Sequence, residues 1–146
     1  MNKTLSFEIP SGLDKIKDVI TDILSLLTDT GVSESDRFDI RLCLEESLVN
    51  AIKYGNKFNE KAPVKVECSI SGGSLKVSVE DKGEGFDYKS LPDPTKMSNI
   101  LKTKGRGVFL IKHLMDKVEF SRHGSKITMT KYIKKDLPRT KKRPRL

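Results

Sequence analysis

Residues 46–55, with the sequence ESLVNAIKYG, form the end of a predicted helix. On a projection of 100° per residue, four polar residues of this helix share a band about 60° wide: Asp39, Glu46, Asn50 and Lys53. Apolar residues border the band on both sides, which is typical of a helix that lines a cleft. A second solvent-exposed edge with a Glu46–Lys53 surface pair explains the helix equally well, so other segments must decide between the two.

The segments before this helix predict a strand and a first helix. Residues 3–9 alternate apolar and polar side chains, which indicates a half-buried strand. From Leu13 onward, apolar residues recur at intervals of three and four, which indicates an amphipathic helix that Gly31 ends. Ser33 then offers an N-cap for the second helix, which we expect to run to about Tyr54.

The segments after this helix predict two hairpins and a third helix. The expected strands are residues 63–70, 74–80, 117–122 and 126–132, and a helix is expected from Gly105 onward. The order β-α-α-β-β-loop-α-β-β predicts an α+β fold, a two-layer sandwich. We expect a mostly antiparallel, mixed sheet with the helices on one face.

Two glycine-rich segments have the composition of a nucleotide site. DKGEGF at 81–86 places a carboxylate at a strand end beside glycines, which let a ligand approach the backbone closely. KGRGV at 104–108 leads into a helix, and the free N–H groups of a helix start suit a phosphate. Each segment alone is a weak signal, and the chain contains neither a P-loop nor a G-x-G-x-x-G fingerprint.

The location of the charge limits what the net value of +8 implies. Residues 131–146 contain eight Lys or Arg and one Asp, a net charge of +7, which leaves +1 for residues 1–130. We therefore expect a single domain over residues 1–133 and a basic, flexible tail over residues 134–146.

The composition also predicts a reduced, cytoplasmic protein. No apolar run approaches the ~20 residues of a membrane span. The N-terminus MNKTLSFEIP lacks the apolar core of a signal peptide. The two cysteines, Cys43 and Cys68, lie in different segments without metal-ligand spacing, and no disulfide is expected.

Three motifs together resemble those of one superfamily. ESLVNA at 46–51, DKGEGF at 81–86 and GRGVFLI at 105–111 are similar to the N box and the two glycine boxes of the Bergerat-type (GHKL) ATPases. The chain length and the pattern E-x-x-x-N-A-x-x-Y-G resemble, within that superfamily, the bacterial anti-sigma factor serine/threonine kinases. The resemblance covers residues from about 5 to 132 and favours a cleft over a solvent-exposed edge.

The resemblance implies ATP and Mg²⁺ as cofactors and assigns roles to individual residues. Asn50 would coordinate the metal between the phosphates, and Glu46 would act as general base or orient a water. Asp81 would accept a hydrogen bond from the adenine amino group, and Ser125 stands where the family usually has a threonine near adenine. The other positions that it implicates in binding ATP are Lys53, Gly83, Gly85, Lys104, Gly105, Arg106, Gly107 and Val108.

One position departs from the family pattern. Many members carry an arginine that touches the terminal phosphate just before the second glycine box, and Thr103 is the nearest residue here. Lys102, Lys104 or Arg106 could substitute, although lysine lacks the bidentate fork of arginine. The sequence therefore supports nucleotide binding more directly than phosphoryl transfer.

The family resemblance also implies partners. The chain would bind an alternative sigma factor and phosphorylate a serine on a STAS-type anti-anti-sigma antagonist, in transcription regulation and stress response, as a homodimer. The main alternative is a non-catalytic ATP-binding switch, against which Glu46 counts because a switch has no need of it.

Two further alternatives are disfavoured. A sensor histidine kinase needs a separate helical hairpin for its phosphorylated histidine, whereas His113 and His123 fall in a predicted helix and a turn. Direct nucleic-acid binding is also disfavoured, because residues 1–130 show no basic stripe with interleaved aromatics; only the tail offers charge for phosphate contacts.

Overall fold

The structure, a computed structural model, describes residues 2–83 and 103–133, except the side chains of residues 103–105. Gly85 and Lys102 lie outside the described residues. So does the predicted basic tail over residues 134–146, and its boundary with the domain stays a prediction.

Five strands form one sheet. They are β1 (Lys3–Ile9), β2 (Val64–Ser71), β3 (Ser74–Glu80), β4 (Lys117–Ser121) and β5 (Lys126–Tyr132). Their spatial order is β1-β2-β3-β5-β4, and each neighbouring pair is antiparallel. The predicted α+β sandwich is confirmed, and the described sheet is antiparallel throughout rather than mixed.

Helices cover one face of this sheet. A short 3₁₀ turn (Leu13–Lys15) leads into α1 (Ile16–Ser25), and α2 (Glu34–Val49) continues into a π-helical turn (Asn50–Gly55). The third helix, α3 (Thr103–Leu114), follows β3 in the chain and packs mainly against α2. The buried apolar side chains of the strands and of these helices form a single core.

Strict alternation along β2 explains why only one face of the sheet is covered. Val64, Val66, Cys68 and Ile70 are buried towards the helices, whereas Lys65 and Glu67 between them are exposed. Burial raises the pKa of the Cys68 thiol to about 11, against a smaller lowering by a hydrogen bond with the backbone of Leu5. The thiol therefore stays protonated at neutral pH and behaves as a core residue.

The hairpin turn between β2 and β3 and the N-cap of α2 form as their residues predict. Gly72 and Gly73 have φ angles of 58° and 80°, the left-handed values that a two-residue hairpin turn requires. Ser33 caps α2, since its Oγ accepts a hydrogen bond of 3.0 Å from the backbone N–H of Asp36. No helix in the described part of the chain is long and apolar enough to cross a membrane.

The start of α3 differs from the prediction. The helix begins at Thr103, two residues before the expected start, and Gly105 and Gly107 lie in its first two turns. Glycine inside a helix costs roughly 1 kcal/mol relative to alanine, and packing against α2 offsets that cost. The need for glycine at these positions therefore comes from the contacts that α3 makes.

Candidate functional site

Asn50, from the polar band of α2, lines a cleft between α2, α3 and the end of the sheet. The residues that line the cleft come from all three: Ser47, Asn50, Ala51, Val79, Asp81, Val108, Ile111, Phe120, Gly124, Ser125 and Ile127. The cleft has about 390 Å³ of empty volume, including its open mouth. Its walls are mainly apolar, with polar groups at two ends.

At one end of the cleft, Glu46 and Asn50 meet α3. A Cβ atom added to Gly107 would lie 2.6 Å from Oε2 of Glu46 and 3.2 Å from Nδ2 of Asn50. Both half-buried side chains therefore converge on one point of the α3 backbone, which only glycine leaves open. We call this group of three residues the helical end of the cleft.

The helix changes geometry at Asn50. In the following turn the backbone N–H of Asn56 donates to the carbonyl of Ala51 at 2.8 Å, a hydrogen bond across five residues. Such π-helical turns are frequent at functional sites. The wider turn rotates each residue by less than 100°, so a projection with constant spacing misplaces Lys53.

Lys53 is indeed exposed and does not line the cleft. Its ammonium lies 5.3 Å from the centroid of the Tyr54 ring. Asp39, the first residue of the predicted band, is 6% exposed and buried. The structure therefore brings Glu46 and Asn50 together at Gly107 and leaves the side chain of Lys53 exposed.

At the other end of the cleft, Asp81 lies against two glycines. Its Oδ1 accepts a hydrogen bond of 2.7 Å from the backbone N–H of Gly83. A Cβ on Gly55 would collide with the Asp81 carboxyl group, and a Cβ on Gly83 would collide with the carbonyl oxygen of Gly55. The turn after α2 and the loop after β3 thus pack closely, with the backbone of Gly55 against both the Asp81 carboxyl group and the backbone of Gly83.

Asn56 ties these segments together. It is 6% exposed, and its Nδ2 donates to Oγ of Ser11 at 2.9 Å and to the carbonyl of Ala62 at 2.8 Å. Its Oδ1 accepts a hydrogen bond of 2.7 Å from the backbone N–H of Lys82. Sequence reasoning missed Asn56, which directly follows the pattern E-x-x-x-N-A-x-x-Y-G, and gave no role to Gly55, the last residue of that pattern.

Ser125 reaches the cleft from the turn between β4 and β5. Its carbonyl accepts a hydrogen bond of 2.9 Å from the backbone N–H of Asp81, so the two predicted adenine-reading residues are adjacent. Its Oγ donates to the carbonyl of Arg122 at 2.8 Å. We call Asp81, Ser125 and the glycines around Asp81 the loop end of the cleft.

The turn before Ser125 has an uncommon backbone. Arg122, His123 and Gly124 have φ angles of 52°, 58° and 90°, three successive left-handed residues. Each non-glycine residue in this region costs roughly 1–2 kcal/mol. An ion pair of 2.8 Å from Arg122 to Glu80 and the Ser125 bonds hold the turn.

The remaining predicted positions have different places. Val108 is buried and lines the cleft, whereas Arg106 is exposed. Lys104 and Gly105 lie in the first turn of α3, and the side chains of Thr103 and Lys104 are not described. The question of which basic residue replaces the family's arginine therefore stays a prediction.

The helical end offers donors that fit a magnesium–phosphate group. Among the described residues, no cluster of three or more His, Cys, Asp or Glu could hold a metal by itself. Mg²⁺ commonly takes one or two protein oxygens and completes its shell with substrate phosphates and waters. The amide oxygen of Asn50, whose Nδ2 lies near Gly107, suits that mode of binding.

The structure combines an α+β fold with a cleft between two helices and the end of the sheet. The sequence profile of the histidine kinase-like ATPase domain matches residues 9–131. The chain belongs to this family.

Curated relatives narrow the comparison. Over 140 residues the chain is 27% identical to the serine-protein kinase RsbW of Staphylococcus aureus strain MSSA476, which covers 90% of this chain and 88% of the relative. The same protein from strain JH9 matches with the same values. The resemblance to anti-sigma factor serine kinases that the three motifs indicated is confirmed.

A solved structure supports the fold. The RsbU and RsbW domains of a Mycobacterium tuberculosis protein superimpose with a TM-score of 0.62 at 18% identity. The match covers 90% of this chain and 32% of the longer one. At this level of identity the likeness concerns the fold alone.

Proposed function

We propose that this protein is an ATP-dependent serine kinase that also holds back an alternative sigma factor. Its substrate is a serine on a STAS-type anti-anti-sigma protein. The observation that carries the proposal is the convergence of Glu46 and Asn50 on Gly107 at one end of a cleft whose other end carries Asp81 and Ser125. A carboxylate at that point suits transfer, whereas nucleotide binding alone has no use for it.

ATP would lie along the cleft with its base at the loop end and its phosphates at the helical end. Asp81 would accept a hydrogen bond from the adenine amino group, with the hydroxyl of Ser125 beside it. Gly83, Gly85, Lys104, Gly105, Arg106, Gly107 and Val108 belong to the segments expected around the ligand. Asn50 would hold Mg²⁺, which neutralises phosphate charge when bound.

Transfer then follows from the position of Glu46. The serine hydroxyl oxygen of the substrate forms a bond to the γ-phosphorus, and the bond from that phosphorus to the β–γ bridging oxygen breaks. ADP leaves with the electron pair, and the Glu46 carboxylate takes the hydroxyl proton. General-base catalysis of this kind contributes typically ~10²–10⁴-fold.

The catalytic part is tested with Glu46→Gln and γ-labelled ATP on a purified STAS-type protein. We expect unchanged ATP affinity and a loss of labelling of about 100-fold or more. Glu45→Gln is the matched control, since Glu45 is exposed on the α1 side of the same helix and its loss removes the same charge. If wild type binds ATP and labels no STAS-type protein, the ATP-binding switch replaces the kinase.

The metal and nucleotide part is tested separately with Asn50→Ala. We expect Mg²⁺-dependent ATP binding, measured by calorimetry, to be lost in this variant. Unchanged affinity would show that the cleft does not hold ATP in the proposed orientation.

The partner part is tested by capture of purified alternative sigma factors on the immobilised chain, with and without ATP. We expect one of them to bind and the STAS-type antagonist to compete. Size-exclusion chromatography with light scattering tests the predicted homodimer at the same time. Failure of capture with intact labelling would leave the kinase standing and remove the anti-sigma role.

A further inference from the structure

Lys131 is a fully buried lysine that the proposed chemistry does not use. Its exposure is 0%, and it faces the helices from β5 in the same row as Ile127 and Met129. A charged side chain in this position needs compensating partners, because transferring an ammonium group from water into the core is costly. Its contacts therefore show what the lysine is for.

The ammonium of Lys131 lies between two helix ends. Nζ donates a hydrogen bond of 2.6 Å to the carbonyl of Leu114, the last residue of α3. It also lies 3.7 Å from Oδ1 of Asp36 in the first turn of α2. A cation suits the carbonyls at a helix C-terminus, which carry partial negative charge.

The chain just after α3 is attached to the same strand on both sides of Lys131. The backbone N–H of Asp116 donates to the carbonyl of Thr130 at 2.9 Å. Oδ2 of Asp116 accepts a hydrogen bond of 2.7 Å from the backbone N–H of Tyr132. Three consecutive residues of β5 thus hold the C-terminal end of α3.

The opposite end of α3 carries Gly107 at the cleft. Leu114 is seven residues from Gly107, about 10 Å along the helix axis. α3 runs antiparallel to α2, since it meets Glu46 and Asn50 near its start and approaches Asp36 at its end. Because a helix moves as a rigid body, an attachment at Leu114 sets the distance of Gly107 from Glu46 and Asn50.

Stability alone does not explain the lysine. Replacing a buried ion pair by apolar side chains of similar volume is often neutral or stabilising. Lys131 instead acts on the relative position of two helices, because its partners belong to α2 and α3. The separation of these helices defines the helical end of the cleft. We propose that Lys131 is a positioning residue that fixes α3 against α2 so that Gly107 closes on Glu46 and Asn50.

This inference rests on the proposed nucleotide site, and Lys131→Met tests it. Methionine keeps the length of the side chain and removes the ammonium. We expect ATP affinity, measured by calorimetry, to fall about tenfold, and amide exchange of residues 107–114 to accelerate, while the cooperative thermal transition is retained. The control is Lys76→Met, an exposed lysine on β3 opposite Thr130, which should change neither quantity.

Two further variants separate the contacts. Asp36→Asn leaves the bond from Lys131 to Leu114, so we expect less than a threefold loss of ATP affinity. The double variant Asp36→Asn with Lys131→Met removes both charges of the pair, so we expect it to keep the fold even if Lys131→Met alone does not, and to show the tenfold loss.

Each outcome of these experiments supports or overturns the positioning role of Lys131. A folded Lys131→Met or double variant with wild-type ATP affinity and wild-type amide exchange overturns the positioning role, and so does unfolding of both. If wild type itself binds no ATP, the proposed function fails, whereas faster exchange of α3 in Lys131→Met would still support the attachment.

Discussion

The two ends of the cleft are built differently. The helical end consists of two side chains on one helix, Glu46 and Asn50, that meet a bare backbone position on another, Gly107. The loop end consists of backbone segments in direct contact, joined by the bonds of Asn56 and by the link from Asp81 to Ser125. The helical end depends on the distance between α2 and α3, whereas the loop end depends on a network of short contacts.

This difference predicts how each end fails. Side chains at the helical end have flexible tips, so an added atom displaces them without unfolding the chain. At the loop end an added atom meets backbone that has no alternative rotamer. An added atom there should damage stability and base binding together, whereas an atom added at Gly107 should affect transfer more than ATP binding.

The largest effect is expected from Gly83→Ala at the loop end. The new Cβ collides with the carbonyl oxygen of Gly55, which is backbone and cannot rotate away. We expect ATP affinity to fall at least about 100-fold and the free energy of unfolding to fall by about 1–3 kcal/mol. Calorimetry and urea unfolding measure the two quantities.

Gly12→Ala is the control for that variant. The nearest atom to its Cβ is Oδ1 of Asp14 at 2.9 Å, the tip of a flexible exposed side chain. We expect both quantities to stay near wild type. Normal ATP affinity in Gly83→Ala would show that the loop end tolerates rearrangement.

Gly107→Ala tests the helical end. The Cβ would lie 2.6 Å from Oε2 of Glu46, so the carboxylate tip must move. Alanine gains up to ~1 kcal/mol in a helix, and stability should be unchanged or higher. A misplacement of about 1 Å can cost ~10²-fold in rate, so we expect transfer to fall by that factor and ATP affinity by less than tenfold. Equal losses in affinity and transfer would contradict the separation of roles.

Asn56→Ala probes the network behind the loop end. It removes the donor to Ser11 Oγ, which still donates to the carbonyl of Ala62, and the acceptor of the Lys82 N–H, and an unsatisfied buried group costs ~1–3 kcal/mol. We expect the free energy of unfolding to fall by about 2–3 kcal/mol and ATP affinity to weaken with it. Asn59→Ala, at an exposed asparagine whose Oδ1 accepts only a local bond from Lys61, should cost less than ~1 kcal/mol.

The smallest effect is expected from His123→Gly in the left-handed turn. Glycine adopts a φ of 58° without steric cost, so we expect the free energy of unfolding to rise by up to ~1 kcal/mol and ATP affinity to stay unchanged. Gly31→Ala is the opposite test. Its φ is 80° with nothing near the Cβ, and it should lower stability by a similar amount through backbone strain alone. A lower stability of His123→Gly would show that the imidazole contributes more than its backbone costs.

Local patterns predicted most of the elements. Three predicted features each depend on residues only a few positions apart: the alternation over residues 3–9, the Ser33 cap and the Gly72–Gly73 turn. The structure confirms all three. The predicted start of α3 and the constant helical spacing assumed after Asn50 were wrong in detail. Both depend on packing between segments far apart in the chain, which propensity and periodicity do not contain.

The candidate site divides in the same way. Glu46 and Asn50 are one helical turn apart, so their common face follows from the sequence, whereas the exposed Lys53 depends on a change of helix geometry. Asn56 and the role of Gly55 were missed because their importance lies in contacts with Ser11 and Asp81. Nothing near them in the chain signals those contacts.

The sequence by itself determined the three motifs, the polar band of α2 and the near-neutral charge of residues 1–130, because each depends on residue types and their spacing alone. The tertiary structure alone decided that Gly107 meets Glu46, that Asp81 meets Ser125 and that Lys131 joins two helix ends. These contacts join residues distant in sequence. Their geometry is set when helices pack on a sheet and bury a common core.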